Sequence, residues 1–320
     1  MAAIIEAESL TKVYPGKVTL YNFSLTINEG DIFGLLGPNG AGKSTFIRIL
    51  TGGERQDSGR ITLFGKPLSA GSAKKVGVAP QDNCVYSLLT CMENLLYFGS
   101  LYGVSGKAAR EKAEKLLAEL ELSDKTNVPA GLLSGGMKRR LNLACALMHN
   151  PELIILDEPT TGLDPSTRRK MWDVVTRTVK EDHATLLLTT HYMEEAEALC
   201  GKIAFVNAGQ VVAEGSPDEL KRMAGKEMAR LISLPGDYAR LEPSLKKIKG
   251  IGNVTVTEHG IVIEADEVSH TVGEITKVFA RSGEKIIELS VSKPSLEDVF
   301  LKLTGAQLKE AVKGGPKKRD

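Results

Sequence analysis

The run Gly37-Pro38-Asn39-Gly40-Ala41-Gly42-Lys43-Ser44-Thr45 constrains this chain more than any other feature. It follows an apolar segment, Asp31-Ile32-Phe33-Gly34-Leu35-Leu36, and precedes Phe46-Ile47-Arg48-Ile49-Leu50, whose apolar spacing is helical. Strand, glycine loop and helix in that order are the context a phosphate-binding P-loop requires. The glycines let successive backbone N–H groups turn inward around a polyphosphate, and the helix N-terminus favours the anion. Lys43 can reach the β- and γ-phosphates and Ser44 can hold Mg²⁺. An ordinary glycine turn would not need both flanks, so the chain is expected to bind a nucleoside triphosphate along Gly37–Thr45.

A second constellation lies downstream. Leu153-Ile154-Ile155-Leu156-Asp157-Glu158-Pro159 is an apolar run ending in two acids. A wholly apolar run of this length reads as a buried parallel strand. A carboxylate at its C-terminal end sits beside the phosphate loop and can hold Mg²⁺, the role expected of Asp157. Glu158 is then placed to polarise an attacking water toward the γ-phosphate. Between the two regions, Leu132-Leu133-Ser134-Gly135-Gly136-Met137-Lys138-Arg139-Arg140 opens a long helix through Leu147. Ser-Gly-Gly at a helix start offers free N–H groups and a hydroxyl, a second anion cradle, although alone it fits a helix cap with flexible glycines equally well.

Taken together, Gly37–Thr45, Gln81, Leu133–Met137, Leu153–Glu158, Gly162-Leu163-Asp164 and His191 resemble the ATP-binding subunit of an ABC transporter, over about the first 220 residues. The resemblance implies ATP with Mg²⁺ as cofactors and assigns further roles. Tyr14 corresponds to the aromatic residue that stacks on adenine. Gln81 corresponds to a residue that contacts Mg²⁺ and the attacking water and links the site to a membrane subunit. Asp164 matches the acid that communicates across two nucleotide sites. His191, at the end of the strand Thr185–Thr190, matches the residue that approaches the γ-phosphate. Ser134, Gly135 and Gly136 match the segment that cradles the γ-phosphate of a second copy. The signature most often ends in Gln, whereas Met137 cannot donate that hydrogen bond; antibiotic-exporter-type members share this variant. Lys293-Pro294-Ser295-Leu296-Glu297-Asp298-Val299-Phe300-Leu301 is similar to the end of drug-, lipid- and polysaccharide-exporter ATPases.

The expected fold is α/β: a P-loop NTPase domain of the ABC type with an N-terminal antiparallel β subdomain and an α-helical subdomain, followed by a small α+β ferredoxin-like domain. The first domain is assigned to 1–222, with its helical part at about 82–150. Strands are expected at Ile4–Leu10, Thr19–Ile27, Arg60–Phe64 and Lys75–Ala79, helical pattern from Met92 to Leu122 with a charged amphipathic helix at Lys107–Leu120, and a helix at Pro165–Lys180. Ile203–Val212 reads as a hairpin turning at Asn207–Gly209. Beyond Lys226 the pattern changes to strands at Met228–Leu234, Val254–Thr257, Gly260–Glu264 and Lys285–Val291, interleaved with helices at Tyr238–Ile248 and Ser269–Ser282. That order predicts the ferredoxin-like sandwich over 226–304. Residues 305–320 read as a basic, disordered tail.

Bulk properties narrow the partners. With 41 basic and 40 acidic residues there is no global field to draw nucleic acid or acidic lipid. The longest apolar runs fall far short of the ~20 residues that cross a bilayer, and no signal-peptide pattern is visible at Met1–Glu8. The four cysteines lack metal-ligand spacing and read as reduced thiols. His149, His183, His259 and His270 lack evident metal partners as well. The expectation is a peripheral protein on the cytoplasmic face of the membrane, bound to a separate polytopic membrane subunit around Asp82–Tyr102, with Tyr86, Leu88, Leu89 and Tyr97 as candidate exposed contacts. Two copies are expected to sandwich two nucleotides head to tail, as a homodimer, to drive export of a drug, lipid or other amphiphile. The alternative, a soluble ABC-type ATPase acting on DNA or ribosomes, lacks a coiled-coil insertion, a second P-loop and a basic groove.

Overall fold

The structure is a computed structural model that describes residues 2–257 and 260–304. The chain divides into two units, 1–217 and 218–320. The first begins with β1 (Ala3–Tyr14), β2 (Lys17–Asn28), β3 (Ile32–Leu36), α1 (Lys43–Leu50), β4 (Ser58–Leu63), β5 (Lys66–Pro67), α2 (Ala70–Ala73) and β6 (Val76–Ala79). It continues through α3 (Cys91–Leu101), α4 (Gly106–Glu119), α5 (Gly135–Leu147), β7 (Leu153–Asp157), α6 (Pro165–Asp182), β8 (Thr185–Thr190), α7 (Met193–Leu199), β9 (Lys202–Asn207) and β10 (Gln210–Gly215). Helix α8 (Pro217–Ala224) spans the junction.

Every residue of β7 and β8 is buried, as an apolar strand covered on both faces must be. They lie inside a six-stranded sheet of order β10-β9-β3-β8-β7-β6, parallel except for β10. Leu36 pairs with Thr190, Asp157 with Thr189 and Ala79 with Leu156, so the C-terminal ends of β3, β8, β7 and β6 finish level along one rim. In an open α/β sheet that rim is where ligands bind. The alternating strands β1, β2 and β4 form an antiparallel sheet with β5, in the order β2-β1-β4-β5. Alternation puts Ile5, Leu10, Leu20, Phe23 and Ile27 inward, in one core with Phe33 and Phe46. Phe23 and Phe46 meet at a centroid distance of 4.8 Å, which anchors α1 to that sheet.

The turn of the β9–β10 hairpin joins three elements. Gly209 N–H donates to Ala41 O at 2.9 Å, and Tyr21 N–H donates to Gly209 O at 3.0 Å. The Gly209 φ is +79°, and a Cβ there would stand 2.5 Å from Thr19 O. Only glycine fits, and its amide holds the phosphate loop. The hairpin was expected from the sequence; this contact was not.

Within the helical pattern expected from Met92 to Leu122, the charged helix expected at Lys107–Leu120 is α4, and the chain turns between it and α3 at Gly103 with φ +84°. Val104 N–H returns to Gly99 O at 2.9 Å, closing the first helix with a glycine cap. Thr90 and Glu93 form a capping box at the start of α3. The buried Asn94 amide donates to the carbonyls of Tyr86, Leu89 and Thr90, so the preceding loop is rigidly shaped. Tyr86, Leu88 and Tyr97 are exposed as expected, whereas Leu89 is half-buried because its carbonyl is held by Asn94 and by Ala130 N–H.

His149 stacks on Tyr102 with ring centroids 3.8 Å apart, and its Nε2 lies 3.2 Å from Val76 O, while Nδ1 is buried without a partner. Burial lowers its pKa to about 4, from 6.5. Because the unfolded chain takes up this proton first, stability is expected to fall as pH drops from about 6.5 toward 4. Urea midpoints across that window should decline less steeply in His149→Gln than in the parent protein; parallel curves would contradict this.

The second unit comprises β11 (Glu227–Leu234), α9 (Tyr238–Leu245), β12 (Ile251–Thr257), β13 (Gly260–Ala265), α10 (Val268–Arg281), β14 (Lys285–Ser292) and α11 (Leu296–Thr304). Its antiparallel sheet has the order β12-β13-β11-β14, the ferredoxin-like arrangement. Leu241 and Leu245 of α9 and Ile275 and Phe279 of α10 pack on Leu231, Ile261 and Ile263. Helix α11, which strand–helix alternation did not predict, buries Leu296, Val299 and Phe300. His259 and residues 305–320, the expected tail, lie outside the described residues.

Candidate functional site

Helix α1 starts at the phosphate loop with Gly42 as its N-cap, in a left-handed conformation at φ 111°. Its first-turn N–H groups have no side-chain cap, and no acid occupies that turn. They are therefore free to meet an anion. Lys43 is 5% exposed and its Nζ turns back over the loop, donating to Gly37 O at 2.7 Å and Pro38 O at 3.2 Å. The same Nζ lies 3.8 Å from Glu158 Oε1. Burial lowers the Lys43 pKa, while the charges of Glu158 and Asp157 act in the opposite direction. Ser44 is half-buried beside it, and Thr45 is buried with its hydroxyl bonded by Arg48.

Asp157 ends β7 and is 6% exposed, with the Thr189 hydroxyl donating to its Oδ1. Glu158 follows at φ +47°, an uncommon conformation for a residue with a side chain. Its N–H donates to Thr189 O at 3.0 Å, which fixes that turn. The Glu158 carboxylate has Lys43 on one side and His191 Nδ1 at 3.3 Å on the other. Thus the lysine of the phosphate loop, the second acid and the histidine meet at one carboxylate. Glu195 braces the group from below: Thr160 and Thr190 hydroxyls donate to it at 2.6 and 3.2 Å, and Arg168 Nε lies 3.1 Å away. Burial raises the Glu195 pKa, and the Thr160 bond and Arg168 charge oppose the rise. Neither Thr189 nor Glu195 was found from sequence; the run Met193-Glu194-Glu195-Ala196-Glu197 reads as a charged surface helix.

The remaining residues take three positions. Gln81 is exposed just beyond β6, on the same rim, and its carbonyl accepts from Arg139. Ser134 caps α5 by accepting Met137 N–H at 3.3 Å, leaving Ser134 and Gly135 exposed. No hydrogen bond or ion pair among the described residues joins Ser134, Gly135 or Gly136 to the phosphate loop. Asp164 caps α6, accepting Ser166 and Thr167 N–H at 3.0 Å each, and the Thr167 hydroxyl at 2.6 Å, followed by the Thr167 N–H and the Ser166 hydroxyl, holds its pKa far below the usual carboxylate range. Tyr14 is half-buried at the end of β1, its hydroxyl bonded to Glu54 and Lys12 Nζ 5.5 Å from its ring centroid. Tyr14 pairs with Lys17, whose Nζ would lie 3.8 Å from a Cβ on Gly40; the hairpin therefore brings Tyr14 and one unforeseen cation beside the phosphate loop.

A family model described as "ABC transporter" matches residues 20–161, and one described as "ATP-binding protein DrrA1-3-like, C-terminal domain" matches 215–304. The chain is 35% identical over 313 residues to the linearmycin resistance ATP-binding protein LnrL of Bacillus subtilis (strain 168), covering 96% of this chain and 100% of that protein. It is 36% identical over 315 residues to the daunorubicin resistance ATP-binding protein DrrA2 of Streptomyces coeruleorubidus, covering 94% and 95%. Among solved structures, an ATP-binding subunit of an ABC transporter matches with a TM-score of 0.63 and 29% identity, over 68% of this chain and 92% of that one. With the lysine, the acid pair and the histidine gathered on one sheet rim and relatives alike over nearly their whole length, the chain belongs to the ATP-binding subunits of ABC transporters.

Proposed function

We propose that the chain hydrolyses ATP in the presence of Mg²⁺, as one of two identical copies, to power export of a drug, lipid or other amphiphile through a separate polytopic membrane subunit. The observation that carries this is the meeting of Lys43 and His191 on the carboxylate of Glu158, beside the buried Asp157. Relatives named for linearmycin resistance, daunorubicin resistance and Nod factor export support the direction. A solved neighbour described as a dimeric post-hydrolysis state bound to ADP and Pi supports the two-copy arrangement (28% identity, TM-score 0.61).

In this reading Gly37–Thr45 wrap the phosphates, Lys43 neutralises the β- and γ-phosphates, and Tyr14 stacks on adenine. Ser44, Asp157 and Gln81 would hold Mg²⁺. One carboxylate, one hydroxyl and one amide suit an ion that keeps several waters and binds phosphate oxygens, and it would supply charge neutralisation. Glu158 orients and deprotonates a water whose oxygen bonds to the γ-phosphorus as the bond to the β-phosphate oxygen breaks. His191, whose Nδ1 lies 3.3 Å from that carboxylate, approaches the γ-phosphate, and Ser134, Gly135 and Gly136 of the second copy complete the γ-phosphate shell. Asp164 would communicate between the two nucleotide sites.

The proposed division is an ATP-binding domain at 1–222 with its helical part at about 82–150, and an accessory domain at 226–304. No helix among the described residues is long and apolar enough to cross a membrane, which supports peripheral placement on the cytoplasmic face through a partner. A net charge of +1 supports the absence of a nucleic-acid partner. The test is light scattering of Glu158→Gln with saturating ATP: a dimer is expected, with monomer in ADP. Monomer in both nucleotides would overturn the two-copy reading.

A further inference from the structure

One face of α5 grips the loop that carries Gln81. Arg139 Nη1 donates to Gln81 O. One turn on, Asn142 Nδ2 donates to Pro80 O at 3.2 Å, and Cys84 N–H donates to Asn142 Oδ1 at 3.3 Å. Residues three apart share a helix face, so Arg139 and Asn142 act on the loop side by side. Asn142 is 3% exposed and uses both ends of its amide on backbone, which fixes its orientation. The helix concerned is the one Ser134, Gly135 and Gly136 open.

From this geometry we infer that Arg139 and Asn142 are positioning residues that hold the Pro80–Cys84 loop, and with it Gln81, against the helix that Ser134–Gly136 open. Two side-chain clamps on three backbone groups make a stiff link. Charge supports the placement. Burial lowers the Arg139 pKa, and Asp82, Glu158 and Asp157 oppose it, so the guanidinium stands within electrostatic reach of the acid pair. The sequence Met137-Lys138-Arg139-Arg140 reads only as a basic first turn, and nothing in it reveals the clamp.

The inference rests on the catalytic role proposed for Gln81, and the experiment separates the two. In purified full-length protein, Arg139→Ala is expected to lower kcat for ATP about 10-fold with KM changed less than about 2-fold, since a contact strengthened only on the way to the transition state acts on kcat. Arg139→Lys should recover part of the rate, because an ammonium can still donate to the carbonyl. Placed in a Gln81→Ala background, Arg139→Ala should cost less than about 2-fold more, the non-additivity of residues acting as a unit. Hydrogen exchange of the 82–84 amides should accelerate in Arg139→Ala and in Asn142→Ala. Effects of Arg139→Ala and Gln81→Ala that multiply independently overturn the clamp. If Gln81→Ala leaves turnover intact, the role proposed for Gln81 fails, and exchange alone judges the clamp: faster exchange at 82–84 upholds it and unchanged exchange overturns it.

Discussion

Glu158→Gln is expected to lower the rate of phosphate release by about 10²–10⁴-fold, the range that removal of a positioned general base produces. The substitution keeps the size and the planar end of the side chain and removes its ability to take a proton. It also takes from the buried Lys43 the carboxylate 3.8 Å from its Nζ, leaving Asp157 as its acidic influence until a nucleotide phosphate adds another anion. ATP affinity should therefore hold or tighten while turnover collapses. Single-turnover kinetics with labelled ATP separate the two. A variant that turns over within about 5-fold of the parent would remove Glu158 from the reaction, since that is below what general-base loss produces. The turn that presents the carboxylate is fixed by the Thr189 carbonyl and not by the carboxylate itself, so the substitution should leave the fold unchanged.

Lys43→Ala should act one step earlier, on nucleotide affinity. Removing one partner of a desolvated charged pair costs about 2–5 kcal/mol, or about 30- to 4,000-fold in Kd. The lysine has two jobs in the folded chain. It closes the loop on Gly37 O and Pro38 O, and it sits against Glu158. Alanine leaves a buried carboxylate without its cation, so some stability is lost along with affinity. Lys43→Met fills more of the space and serves as the second variant. Titration calorimetry with ATP and thermal unfolding without nucleotide give the two quantities. Undiminished ATP binding in both variants would refute the assignment of the loop.

The parts of the site that sequence made legible share one property: their chemistry is local in the chain. The phosphate loop is a glycine turn between a strand and a helix, all within Ile32–Leu50, and the acid pair ends an apolar strand that can only be buried. The apolar runs Leu153–Leu156 and Leu186–Leu188 of β7 and β8 likewise predicted fully buried strands of a parallel sheet. The ferredoxin-like order of the last sheet followed from strand and helix alternation. What escaped depends on contacts between distant segments. Glu195 and Thr160 are 35 positions apart, and Arg139 and Gln81 are 58 apart. Periodicity carries no information about such pairs. The charged pattern at Lys107–Leu120 marked α4, whereas the point at which α3 stops depends on the left-handed φ of Gly103, which the sequence does not show.

The β9–β10 turn has the outward signature of a permissive place to open a chain: two short antiparallel strands, an Asn-Ala-Gly tip and small side chains. Its glycine, however, is stitched to Ala41 and Tyr21 with no room for a single added carbon. Epitope tags, fluorescent reporters or new termini engineered there would pry at the very segment that must close on the nucleotide. Labels meant to leave energy transduction intact belong elsewhere, for instance in the solvent-facing side of α4, whose Lys107–Glu111 and Arg110–Glu114 pairs face water.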